Sequence, residues 1–203
     1  MGVYKLSTAG GLATPRTNYS SFLAGNPAFE VSQYQSIATV TVGSGGSATV
    51  SFTSIPATYT HLQVRGIART NRSGSNQDAI RYRFNSDSGS NYTLHYLYGN
   101  GSTAAAGANT SDTQAYMDGF TESDNLAGAF GGFILDILDY TNTNKYKTSR
   151  SWSGREDNTS GAIWFESTLW MNTDAITSIV LTPNSGTSID QYSQFALYGI
   201  KGA

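Results

Sequence analysis

The chain has 203 residues with 12 Lys and Arg against 14 Asp and Glu, a formal charge of -2, which leaves no basic surface to neutralise phosphates and sets nucleic acid aside as a partner. With no cysteine and only His61 and His95, disulfide frameworks, Cys-based zinc sites, thiol catalysis and three-histidine metal sites are excluded. Charged residues make up 13%, against about 25% in an ordinary domain, while Ser, Thr, Asn and Gly supply 86 of the 203 positions, so the polarity is mostly uncharged.

Residues 1–34 hold Pro15, Pro27 and a Gly10-Gly11 pair without sustained periodicity, and are read as an extended arm. Met1–Arg16 lacks the apolar core of a signal peptide, and no run approaches the 18 or so apolar residues of a membrane span, so membrane insertion is not expected. Tyr4, Leu6, Tyr19, Phe22, Leu23 and Phe29 are too apolar for a free linker. They call for burial, either on the chain's own domain or on another subunit.

From Gln35 to Ala203 short alternating runs are separated by Gly, Asn and Ser clusters, the pattern of an all-β domain. Ser36–Val42 and Ala48–Ser54, flanking Gly43–Ser47, predict a first hairpin. His61–Arg69 predicts a strand with a bulge at Gly66. Ala79–Asn85 points Ile80, Tyr82 and Phe84 inward, and the turn NSDSGSN leads into Tyr92–Tyr98 as a second hairpin. Residues 99–114, small and polar without period, read as a long loop. Runs at 133–140, 145–153, 161–171, 178–182 and 192–200 complete the pattern. The expectation is an antiparallel β-sandwich, jelly-roll-like, of about ten strands, with the domain at 35–203 and the arm at 1–34.

Motifs that carry catalytic or cofactor chemistry are missing: there is no G-x-S-x-G, no H-E-x-x-H, no P-loop and no dinucleotide fingerprint. Neither an enzyme nor a cofactor is therefore expected. Asp136 and Asp139, three apart in a strand, fall on opposite faces and cannot line one cleft. Arg155, Glu156 and Asp157 read as a solvated loop tip, and Asn85, Asp87, Gly89 and Asn91 as a turn with too few carboxylates for calcium, so no metal is expected. In Gly161–Met171, Ile163, Phe165, Leu169 and Met171 share one face and Trp164, Glu166, Thr168 and Trp170 the other. The second set sits on the nominal solvent face, and Trp152 of the preceding strand extends it. Its readings are a subunit interface, packing under the chain's own loops, or contact with a glycan.

The stretches SIATVTVGSGGSATVSFTSIPATYTHLQVRGIART, FNSDSGSNYTLHYLYGNG, FILDILDYTNTNKYKT and FALYGIKGA, with TPRTNYSSFLAGNPAF in the arm, resemble small virion structural proteins, tail fibre-like, of tailed bacteriophages of aquatic bacteria. The resemblance implies a β-sandwich head carried on the virion, commonly as a homotrimer, with an N-terminal segment that attaches to other virion proteins. It brings no catalytic or metal residues. The expected protein is thus a short tail fibre presenting its head to a host surface, with a capsid decoration or cement protein as the neighbouring alternative. From another class comes a domain that binds or cleaves glycans through Trp164, Trp170 and Glu166.

Overall fold

The computed structural model describes residues 33–202, and every regular element in that span is a β-strand. In chain order these are β1 (Tyr34–Thr41), β2 (Val50–Phe52), β3 (His61–Ala68), β4 (Asp78–Phe84), β5 (Tyr92–Gly99), β6 (Ala104–Asp112), β7 (Ala115–Phe120), β8 (Gly131–Leu138), β9 (Lys147–Glu156), β10 (Gly161–Trp170), β11 (Ile179–Pro183) and β12 (Gln194–Ile200). Eight strands form one sheet in the order β1-β12-β3-β8-β9-β10-β5-β6, and four form a second in the order β2-β11-β4-β7. Every strand pair is antiparallel, and the two sheets enclose one apolar core, so the fold is an all-β sandwich. The arm residues Tyr4, Leu6, Tyr19, Phe22, Leu23 and Phe29 lie outside the described residues.

Alternation within the strands builds the core. Ile80, Tyr82 and Phe84 of β4 and Ile179 and Leu181 of β11 face Leu62 and Val64 of β3, Leu135 and Ile137 of β8, and Phe195 and Leu197 of β12. Phe84 meets the edge of Trp170 with ring centroids 5.5 Å apart, and Phe133 bridges Phe120 and Phe195 at 5.6 and 5.4 Å. Each such side chain, once buried, contributes roughly 1.5–3 kcal/mol against the entropy of ordering the chain.

Neither predicted hairpin forms, because in each the two consecutive strands lie in different sheets. β1 pairs with β12 while β2 pairs with β11, so Gly43–Ser47 carries the chain from the large sheet to the small one. Likewise β4 lies in the small sheet and β5 in the large one, and the turn between them is a crossing. Asn85 and Ser86 there adopt positive φ, and Asn85 Oδ1 accepts from the Thr177 N–H at 2.8 Å, tying the crossing to the segment before β11. Gly66 marks no bulge, since β3 keeps unbroken register with both β12 and β8. Its missing side chain is needed for another reason: a Cβ would collide with the Gln194 carbonyl on β12. Residues 99–114 are not one loop either. Ala104–Asp112 pairs with β5 as the edge strand β6, held by backbone hydrogen bonds that its small side chains neither help nor hinder. Among the described residues there are twelve strands against the expected ten, β6 and β7 being the two that were not expected.

Candidate functional site

Two surfaces concentrate unusual side chains, and they lie on opposite faces of the large sheet. On its outer face the cross-strand registers place Leu97, Phe165, Trp152 and Ile134 in one continuous row across β5, β10, β9 and β8. The next row holds Gly99, Ile163, Gly154, Gly132 and Ile67. Trp152 is 63% exposed, Leu97 59% and Ile163 57%, values usual for lysine rather than for the largest apolar side chains. Beside Gly99 a depression of about 450 Å³ lies between Leu97, Trp152, Ile163 and Phe165. Arg65, Arg150, Asp136 and Glu156 border the band, with Asp136 accepting from Gln63 Nε2 at 2.7 Å.

On the inner face the arrangement is polar where a sandwich core is normally apolar. Successive inward positions of β9 are Lys147, Ser149, Ser151, Ser153 and Arg155, all buried, and their neighbours on β10 are Ala162, Trp164, Glu166, Thr168 and Trp170. The cause is the free edge of β7. Among the described residues this strand pairs with β4 alone, so the backbone groups on its other side need partners. Glu166 Oε1 accepts the Asp118 N–H at 2.7 Å, and Ser153 Oγ donates to the Asp118 carbonyl at 2.6 Å. Ser151 Oγ donates to the other Glu166 oxygen. The Tyr82 hydroxyl and Ser149 Oγ share a hydrogen bond of 2.8 Å, and Lys147 Nζ donates to the carbonyls of Lys145 and Thr173. Side chains of the large sheet thus stand in for a fifth strand of the small one.

Burial dominates the electrostatics. It pushes the Glu166 carboxyl up to about 8, helped by the nearby Asp118 charge and opposed by the hydrogen bonds from Ser151 and Asp118, so the group is largely neutral at pH 7. The Asp118 carboxyl rises to about 6 through burial and then through the charge of Asp78. Arg155 and Asp157 form an ion pair of 3.3 Å, and both are buried. Burial alone would raise Asp157, but hydrogen bonds from Ser160 and Thr159 hold it well below the usual carboxylate range.

These placements correct several expectations. Trp152 does not share a surface with Trp164, Glu166 and Trp170, because the antiparallel register of β9 and β10 puts Trp152 beside Phe165 on the outer face. The face carrying Ile163 and Phe165 is the exposed one, and the Trp and Glu face points into the molecule. Trp170 is fully buried and donates its Nε1–H to Asp87 Oδ2 at 2.7 Å. Asp87 also accepts from Gly89 and Asn91, so its oxygens are engaged by the turn itself. Arg155 and Asp157 are buried, not a solvated loop tip; Glu156 alone of the three is exposed. Trp164 remains half-buried, stacked on Tyr98 with ring centroids 4.4 Å apart and close to Tyr96 at 5.3 Å. Asp118, Tyr96 and Tyr98 carry no sequence signal that separates them from other strand residues.

Compared with known proteins, the chain matches no family, no curated protein and no solved structure.

Proposed function

We propose that this chain is a non-enzymatic structural subunit of a bacteriophage particle, a short homotrimeric tail fibre whose residues 1–34 attach to other virion proteins and whose sandwich is the head turned toward the host. The observation that carries the reading is the apolar band of Leu97, Phe165, Trp152, Ile134, Ile163 and Ile67. A contiguous exposed band of this kind is a mark of assembly surfaces, where aromatic anchors are buried by a partner. The occupant proposed is a second copy of the chain. Arg65 and Arg150 stand on the same face as Asp136 and Glu156, so a copy can meet a copy with opposite charges opposed, whereas a strongly charged foreign partner would leave one sign uncompensated. The likeness of the sequence to phage fibre proteins supports the same conclusion, and a cysteine-free, weakly charged sandwich suits life outside a reducing cell.

The test is sedimentation equilibrium of the full chain, followed by a reconstruction of the particle that carries it. A trimer that the double variant Trp152→Asp, Phe165→Asp turns into a folded monomer supports the reading, and a monomeric wild type overturns the self-association. Three copies at the tail support the fibre. A lattice of copies on the head makes it a cement protein, and absence from the particle refutes the virion role.

A further inference from the structure

A sheet of four strands cannot cover a sheet of eight. Where β7 ends the small sheet, the inner faces of β10 and β5 continue with no second layer among the described residues, and a cleft of about 680 Å³ opens over Trp164, Tyr98 and Tyr96. This is within the size range of small-molecule sites. Asp118 and Arg155 reach it from β7 and β9, and Gln77 and Asn100 stand among the residues that line it from the loops.

We infer that this cleft is a binding site for an uncharged pyranose sugar, seated on the Trp164–Tyr98–Tyr96 wall and hydrogen-bonded by Asp118, Arg155 and the amides around them. Three observations carry it. The aromatic cluster is continuous, with Trp164 stacked face to face on Tyr98 at 16° and Tyr96 tilted against it, and the ring surface that Tyr98 and Tyr96 leave toward the cleft suits the C–H face of a sugar ring. Donors are left over at the wall. Arg155 is 6% exposed, yet its Nε has no acceptor among the described residues, and the buried Nε1 of Trp164 has none either. Gln77 makes no side-chain hydrogen bond among the described residues, leaving an amide for a hydroxyl. The third observation is charge balance. Arg72 lies 3.6 Å from Asp78 and 3.7 Å from Glu122, and Arg155 is paired with Asp157, so among the described residues the cleft holds no spare cation for a phosphate or a carboxylate.

The inference stands on the cleft alone and does not require the virion role, although it would supply the proposed head with a receptor contact. The test uses the full chain labelled with 5-fluorotryptophan, whose three tryptophans give separate fluorine signals. Glucose, galactose, mannose and N-acetylglucosamine are titrated in turn, with inorganic phosphate as the charged probe. At least one sugar is expected to shift the Trp164 signal saturably while Trp170 stays still, and Tyr98→Ala is expected to weaken that binding about tenfold. If Tyr98→Ala does not fold, Gln77→Ala at the rim must weaken the binding. No saturable shift with any of the four sugars, a response at Trp152 instead of Trp164, an equal response to phosphate, or binding untouched by the substitution used would each overturn the proposal.

Discussion

Replacing Glu166 by Gln separates the structural role of this side chain from its charge. Glutamine keeps the shape: its Oε1 can accept the Asp118 N–H now held at 2.7 Å, and its amide can donate to Ser151 Oγ. What it removes is a proton equilibrium. The folded Glu166 carboxyl titrates at about 8 against 4.5 in the unfolded chain. Between those values the native state holds a proton that the unfolded state has released, so stability falls as pH rises across the window and the loss is complete above about pH 8. An interval of about 3.5 pH units at about 1.4 kcal/mol each makes this loss of the order of 5 kcal/mol. Glu166→Gln should therefore match the wild type to within about 1 kcal/mol near pH 4.5 and exceed it increasingly toward pH 8.5. Urea denaturation at several pH values and one fixed protein concentration measures both curves. A variant whose pH slope equals that of the wild type would refute the reasoning. So would a uniform loss of several kcal/mol at every pH, which would mean that the ionised carboxylate is needed.

Gly119 has φ +79°, and a Cβ there would sit 2.7 Å from Trp164 Cδ1. Gly119→Ala should cost about 2–3 kcal/mol and displace the Trp164 ring, read as a lower Tm together with a changed tryptophan emission. Asp157→Asn strands the buried Arg155 guanidinium and should cost about 3–5 kcal/mol by urea denaturation, whereas Glu156→Gln beside it on the exposed face should stay within about 0.5 kcal/mol.

The candidate site was legible only in part. Gly161–Met171 reads correctly from the sequence as a strand with two tryptophans and a carboxylate on one face, because period two is a property of the backbone. Which face meets water is not. The face with Ile163 and Phe165 looks like core by composition, yet it is exposed, and the mixed face is buried because β7 arrives there with an unpaired edge that Glu166, Ser151 and Ser153 complete. Asp118 and Tyr98 enter the cleft only through that same long-range packing, so no local pattern could have selected them.

Composition and alternation by themselves determined an all-β domain, the inward set Ile80, Tyr82 and Phe84, and the exclusion of cysteine and multi-histidine chemistry, since these depend on residue type and on the period of the extended backbone. Tertiary structure alone decided the rest. Whether consecutive strands pair with each other or cross between sheets depends on contacts between distant segments: β1 finds β12 and β2 finds β11 although five residues of glycine and serine suggest a hairpin. Those contacts also set the unequal widths of the two sheets, which leave the inner cleft open, and decide which face of the large sheet turns away from the small one and carries the outer band.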